Sequence, residues 1–116
     1  MIRSFDASGV ALTPSPLEDA KKLSGEVATA VSAVASQGDM EVGVWEHSVG
    51  TSTDVEIEEV FVVLQGAGTV ICEDGGRIEL APGVVGLLPM GARTTWTVTE
   101  PLRKFERAMK NHGWSI

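Results

Sequence analysis

The sequence of 116 residues is short of several residue types, and each shortage excludes a class of protein. A single cysteine, Cys72, cannot form an internal disulfide, and nothing else indicates an oxidising compartment. Basic residues number 9 against 16 acidic ones, and the net charge of −7 disfavours nucleic acid and anionic membranes as partners. The apolar runs are too short to span a bilayer, and the first residues lack the apolar stretch of a signal peptide. We therefore expect a cytoplasmic protein.

The length and the hydrophobic content indicate one folded domain. A chain of 116 residues with 43% hydrophobic residues is long enough to bury a single core. Residues 1–15, which include Gly, Ser, Thr and Pro, predict an extended arm. Ser15, Pro16 and Glu18 then form a helix-start pattern, which predicts a short helix over residues 17–23.

Residues 27–36 fit either a helix or a strand. The valines at positions 27, 31 and 34 have helical spacing. A turn at residues 37–39 and strand-like residues 41–45 favour instead a hairpin of two strands. We predict the hairpin, and one helix through Ala35 is the alternative.

Strand and turn patterns fill the chain after this hairpin. Residues 60–64 form a continuous apolar run, and the turn at residues 73–76 lies between two strand-like segments. Pro101 is expected to separate a strand at residues 94–99 from a last strand at residues 102–109. About eight to ten short strands with regularly spaced turns indicate a barrel or a sandwich.

Two spacings resemble the paired motifs of the cupin superfamily. Glu59 is followed by six residues and then Gly66, and Gly83 is followed by five residues and then Pro-Met-Gly at residues 89–91. Within the superfamily, the chain resembles the ureidoglycine aminohydrolase-like branch of small single-domain proteins. That likeness covers roughly residues 25–108 and is carried by residues 43–46, 50, 58–66, 83–91, 95–96 and 103–104.

The resemblance implies an all-β fold, the cupin-type double-stranded β-helix or jelly-roll barrel. The barrel is expected over residues 25–116, after an arm and the short N-terminal helix over residues 1–24. A homodimer is also implied, and the strand edges of an open cupin sheet point the same way because unpaired edges invite pairing. Apolar side chains of the arm are expected at the interface, namely Ile2, Phe5, Val10 and Leu12.

The resemblance implies a metal site as well, built from two histidines and a glutamate of the first motif and one histidine of the second. Glu59 fits the glutamate, but Thr94 stands at the second-motif histidine position. The first two histidine positions fall on Ser52 and Asp54, or on Thr53 and Val55. First-row metals prefer imidazole and thiolate ligands, so we expect no resident metal or other cofactor. A weakly held divalent metal at Asp54 and Glu59 is the alternative.

Glu59 is the leading candidate for a catalytic or binding group. Strand alternation places it on one face with Phe61 and Val63, and the resemblance implies that this face lines the barrel cavity. A carboxylate there either binds or protonates a ligand, with a raised pKa, or forms a salt bridge. The candidates for that salt bridge are Arg93, Arg103 and Lys104.

Further candidates surround Glu59 in the expected barrel. Thr94 holds the place of a metal ligand, and Trp96 shares its face two residues later. Trp45 and Trp96 suit the apolar wall of a ligand site, with core packing as the alternative, which we favour for Trp45. Asp54 and Lys104 complete the predicted ligand-binding set.

Three other residues are weaker candidates for a functional role. Cys72 lies in a strand and is expected to be inert, since nothing nearby in the sequence supplies a base. We expect His47 to be exposed or to cap a segment, and His112 to lie at the surface.

These observations leave three functions open. The first is a metal-poor cupin that binds a small polar metabolite. The alternative is an aminohydrolase- or isomerase-like enzyme in which Glu59 acts as acid or base, assisted by Asp54 and Lys104. The third is a structural or interaction module whose cavity is filled by side chains.

Overall fold

The computed structural model describes residues 2–109, with only the backbone for residues 33 and 34, so His112 lies outside the described residues. Nearly all of the regular secondary structure in the described part is strand, which confirms the predicted all-β fold. Its nine strands are β1 (Thr13–Pro14), β2 (Lys22–Ser24), β3 (Thr29–Gln37), β4 (Met40–His47), β5 (Gly50–Val55), β6 (Glu59–Cys72), β7 (Arg77–Leu80), β8 (Val85–Leu88) and β9 (Arg93–Met109).

The nine strands form one curled antiparallel sheet. Its two longest strands, β6 and β9, pair with each other. One side of β9 pairs with β5 near its start and with β4 near its end, in the order β1-β3-β4-β9-β5-β2. The other side of β9 pairs with β6, which in turn carries β7 and β8. This pairing brings Glu59, at the start of β6, close to the end of β9.

Both long strands pass through residue types that commonly interrupt strands. The strands predicted at residues 94–99 and 102–109 are one strand, because β9 continues through Pro101. The strand β6 likewise continues through Gly66 and Gly68, with irregular register between residues 63 and 68. Pro101 and the two glycines therefore do not interrupt the strands that contain them.

The predicted hairpin is confirmed, and the alternative of one helix through Ala35 is wrong. Strands β3 and β4 pair antiparallel from Gln37 and Met40 at the turn to Thr29 and His47 at the far end.

The predicted short N-terminal helix over residues 17–23 is wrong. Only a single 3-10 turn forms, Asp19–Lys21, and the chain then enters β2. Strand β2 pairs with β5, where Lys22 lies opposite Ser52. A helix of seven residues is marginal in water, whereas the edge of β5 offers backbone partners at once.

The N-terminal arm packs against the barrel of its own chain. The ring of Phe5 lies 6.0 Å from that of Phe105, and the Arg103 guanidinium donates to the carbonyls of Ala7 at 3.0 Å and Val10 at 2.7 Å. Ile2 remains almost fully exposed.

Within residues 2–109 no helix is both long and apolar enough to cross a membrane.

The hydrophobic core fills the inside of the curled sheet between β6, β7, β8 and β9. Its buried side chains are Phe61, Val63, Val70, Leu80, Leu88, Trp96, Val98 and Leu102. Glu59 shares the inward face of β6 with Phe61 and Val63, as strand alternation predicted. A carboxylate therefore enters the interior directly beside the core.

Candidate functional site

A cavity of about 340 Å³ lies inside the barrel between β4, β5, the connection from β5 to β6, and β9. Its walls carry four carboxylates, Asp54, Glu56, Glu59 and Glu106, and two ammonium groups, Lys21 and Lys104. The tryptophans Trp45 and Trp96 and the hydroxyl residues Ser52 and Thr53 also line it. With more acids than bases, the cavity favours cations and hydrogen-bond donors.

Lys104, on β9, places a buried ammonium at the centre of the site. Its residue is only 4% exposed, and Nζ donates to the Glu59 carboxylate and lies 3.0 Å from Glu106 Oε1. Burial alone would lower the pKa of Lys104, but the charges of Glu106 and Glu59 outweigh burial and raise it. The ammonium also lies about 5 Å from three ring centroids, those of Trp45, Phe61 and Trp96.

Glu59 lines the cavity and also forms a salt bridge, which is one of the two alternatives that the sequence left open. Its partner is Lys104, whereas Arg103 pairs with Glu46 at 2.8 Å. Burial raises the pKa of Glu59 to about 7; Lys104 lowers it, and the charges of Glu106 and Glu56 add to the rise. One ammonium serves two carboxylates, Glu59 and Glu106, so Glu59 is only partly ionised near neutral pH.

Glu56 is a central site residue that the sequence analysis missed. It is buried, and its Oε2 accepts hydrogen bonds from Thr94 Oγ1 at 2.5 Å and from Trp96 Nε1 at 3.0 Å. Burial raises the pKa of Glu56, while the bonds from Thr94 and Trp96 lower it. Within the described residues Oε1 accepts no hydrogen bond, and Glu56 lines the cavity. The carboxylate is thus fixed through one oxygen and leaves the other for a ligand.

Backbone bonds hold Glu56 in place although it lies outside any strand. Its N–H donates to the Ala92 carbonyl at 2.9 Å, and its carbonyl accepts from the Gly91 N–H at 2.8 Å. These bonds tie the connection between β5 and β6 to the turn before β9. The only sequence signal for this residue is an acidic side chain three positions before Glu59.

The other predicted site residues take different positions around the cavity. Trp45 and Trp96 form its apolar wall, with their rings edge to face at 5.4 Å. Asp54 lies at the mouth, where its half-exposed carboxylate pairs with Lys21 at 3.4 Å. Thr94 is buried, does not line the cavity, and donates its hydroxyl to the Glu56 carboxylate.

His47 is buried at 1% exposure, so the expectation of an exposed or capping histidine is wrong. It shares the inward face of β4 with Trp45, and that shared parity was the signal. Its Nδ1 lies 2.6 Å from the Ser48 carbonyl oxygen and its Nε2 2.8 Å from Ser52 Oγ. Burial lowers the pKa of His47, and the bond to the Ser48 carbonyl opposes this in part.

The sequence profile of the EutQ-like cupin domain matches residues 34–105, which is more than half of the chain. The chain belongs to the EutQ-like cupin family. The matched residues include Glu56, Glu59 and Lys104, so these three cavity residues lie within the cupin domain itself.

Solved cupin structures show the same fold at low sequence identity. A DUF861-family protein of unknown function from Pseudomonas syringae is 22% identical over 90% of this chain, with a TM-score of 0.78. A putative ethanolamine utilization protein from Salmonella typhimurium is 17% identical, with 71% of this chain and 69% of that one covered and a TM-score of 0.63. The EutQ protein of Clostridium difficile is 13% identical, with 84% of this chain and 82% of that one covered and a TM-score of 0.66. The chain spans 46% of the Pseudomonas protein. No curated protein matches it significantly.

The metal ion that many cupins hold does not fit the donors present here. The carboxylate of Glu59 is bound to the Lys104 ammonium, so a cation already lies beside it. Thr94 directs its hydroxyl to Glu56, and Ser52 bonds to His47. Within residues 2–109 no group of three or more His, Cys, Asp or Glu side chains is arranged to hold a metal.

We expect the stability of the protein to depend on pH through Glu59. A folded-state pKa of about 7, above the ordinary carboxyl value of 4.5, gives stability that is complete below pH 4.5 and is lost as the pH rises through 7. Relative to Glu59→Gln, the wild type should lose about 1–3 kcal/mol of unfolding free energy between these pH values. Urea denaturation of both proteins at pH 4.5 and 7.5 measures this. Parallel pH profiles would contradict it, and Glu79→Gln, an exposed carboxylate, is the control.

Proposed function

We propose that this cupin is a metal-poor protein that binds a small polar metabolite carrying an amine or a similar hydrogen-bond donor. The observation that carries the proposal is the Glu56 carboxylate. One of its oxygens is fixed by Thr94 and Trp96, and the residue faces an open cavity. A positioned, partly desolvated carboxylate is a group that recognises an ammonium or an amide N–H.

The size and the charge of the cavity support a small cationic or neutral ligand. A volume of about 340 Å³ lies at the lower end of the range for small-molecule sites. The Lys104 ammonium is already shared by Glu59 and Glu106, which leaves little positive charge for an anion. Trp45 and Trp96 offer the apolar surface on which the carbon part of such a ligand packs.

The likeness to the ureidoglycine aminohydrolase-like cupins supports the same class of ligand, because ureidoglycine, after which that group is named, carries an amine and a ureido group. The similarity to a protein described as an ethanolamine utilization protein adds a small amine to that class. We propose cytoplasmic location and a homodimer on the sequence arguments given above. The packing of Phe5 on Phe105 leaves the exposed Ile2 available for the dimer interface.

The alternative function is an enzyme in which Glu59 transfers a proton. A carboxyl with a pKa of about 7 is partly protonated at neutral pH and serves as either acid or base. Lys104 stabilises its ionised form at a fixed position. Turnover of a ligand, as opposed to its binding alone, would favour this alternative.

We expect a small amine to stabilise the wild type through Glu56 and Glu59. At about one hundred times its dissociation constant a ligand stabilises by about 2.7 kcal/mol, which corresponds to about 10 °C in melting temperature. A thermal-shift panel of small amines and ureido compounds, with ethanolamine included, measures the shift. Glu56→Gln and Glu59→Gln should lose most of it, because an amide cannot provide the negative charge.

Glu79→Gln is the matched control for this panel, since it removes an exposed carboxylate outside the cavity. Its shift should equal that of the wild type. A stabilising amine whose shift is unchanged in both cavity variants would place the binding site elsewhere and contradict the proposal.

A further inference from the structure

Ser52 and His47 form a hydrogen-bonded pair in the cavity wall that the proposed ligand site does not use. Ser52 Oγ lies 2.8 Å from His47 Nε2, and both residues are almost fully buried from solvent. Ser52 lines the cavity, whereas His47 lies behind it on β4. A hydroxyl between an open cavity and an imidazole has the arrangement of a nucleophile and its base.

The hydrogen bonds of His47 determine which of its nitrogens carries the proton. The Ser48 carbonyl, 2.6 Å from Nδ1, can only accept, so Nδ1 carries the proton. Burial keeps the ring neutral by lowering its pKa, and Nε2 is therefore the acceptor. Ser52 Oγ–H consequently donates to Nε2. The Ser48 carbonyl orients the ring in the way that the third member of a catalytic triad does.

We infer that Ser52 is a nucleophile that accepts an acyl group from a small activated ester in the cavity, with His47 as its general base. Ser52 Oγ attacks the carbonyl carbon while its proton passes to His47 Nε2. The ester C–O bond then breaks, and the leaving alcohol takes the proton back from Nε2. Water, deprotonated by Nε2, releases the acid from acyl-Ser52 and restores the hydroxyl.

The inference goes beyond amine binding and depends on different residues. It requires the cavity and the pair of Ser52 and His47, but not the carboxylate of Glu56. The acidic walls select acyl groups that are neutral or positively charged, because an acyl group with its own carboxylate would be repelled by Glu56 and Asp54. The cavity volume of about 340 Å³ limits the substrate to a small ester.

The test uses p-nitrophenyl acetate, a small neutral activated ester. The wild type should release p-nitrophenolate in an initial burst that approaches one equivalent per chain, and peptide mass spectrometry should find the acetyl group on Ser52. Ser52→Ala should abolish the burst. His47→Phe should slow it by about 100-fold or more, because the general base is lost. Ser24→Ala removes an exposed hydroxyl outside the cavity and should leave the burst unchanged.

If His47→Phe fails to fold, the pH dependence of the wild-type burst rate tests the role of His47 as the base. The burst rate should rise with pH through an apparent pKa below 6.5, as His47 loses its second proton, and should then level off. Acetylation confined to surface lysines, a burst equal in Ser52→Ala, or a rate that rises steadily with hydroxide would overturn the inference. Glu56→Gln separates it from the proposed function, since this variant should lose amine binding and keep the burst.

Discussion

Replacing Lys104 with methionine should lower the free energy of unfolding by about 3–5 kcal/mol, because it leaves buried carboxylates without their counter-charge. The Lys104 ammonium is the ion-pair partner of Glu59 and of Glu106. Methionine has a similar volume, so the loss measures the missing charge more than a cavity. Urea denaturation at pH 7.5 gives the free energy, and the melting temperature should fall by more than about 10 °C.

A second variant tests whether charge is the cause. Adding Glu59→Gln to Lys104→Met removes one of the unpaired carboxylates and should recover part of the lost free energy. Lowering the pH from 7.5 to 5 should also reduce the difference in unfolding free energy between Lys104→Met and the wild type. The reason is that protonation neutralises the carboxylates that have lost their partner. A loss below about 1 kcal/mol in Lys104→Met, or a double variant less stable than Lys104→Met alone, would show that the buried ion pairs do not stabilise the barrel.

The sequence predicted the elements that follow from local patterns. Alternation along β6 placed Glu59, Phe61 and Val63 on the inward face, and the turn after Gln37 predicted the hairpin of β3 and β4. The motif spacings pointed to the cupin barrel and to the neighbourhood of Glu59. In each case the residues that carry the prediction lie close together in the sequence, within one strand, one turn or one short motif.

The missed residues depend on contacts between distant segments. Glu56 belongs to the site because its backbone is tied to Gly91 and Ala92, and its side chain to Thr94 and Trp96. The pairing of β5 with β9 sets those neighbours, and no periodic pattern encodes that register. The prediction of an N-terminal helix was wrong for the same reason, because residues 22–24 pair as a strand with the edge of β5.

A contact across the short connection from β4 to β5 decides the role of His47. Its inward parity with Trp45 was visible in the sequence, but its bond to Ser52 forms only where β4 ends and β5 begins, so that a short connection brings the two residues together. Burial then removes the solvent that would otherwise keep the imidazole basic. A histidine outside the family motif thus acquires a partner in the cavity wall through the fold.

Gly66→Ala should abolish folding or cost more than about 4 kcal/mol, because the backbone of β9 occupies the space that a side chain would need. Gly66 has a φ of +102°, and a Cβ there would lie 2.3 Å from the Pro101 carbonyl oxygen and 2.6 Å from Leu102 Cα. These are backbone atoms of a paired strand, so they cannot move aside as a flexible side chain does. The contact lies beside the half of the β6–β9 pair that carries Glu59 and Lys104.

Gly83→Ala is the matched control, because Gly83 also has a positive φ, +92°, but has open space around its Cβ position. It should cost only the left-handed backbone strain, about 1–2 kcal/mol. Urea denaturation of both variants, with the soluble yield recorded for Gly66→Ala, compares them directly. Equal losses in the two variants would mean that backbone strain alone explains the glycine of the first cupin motif. A much larger loss at Gly66 means that close contact between β6 and β9 requires it.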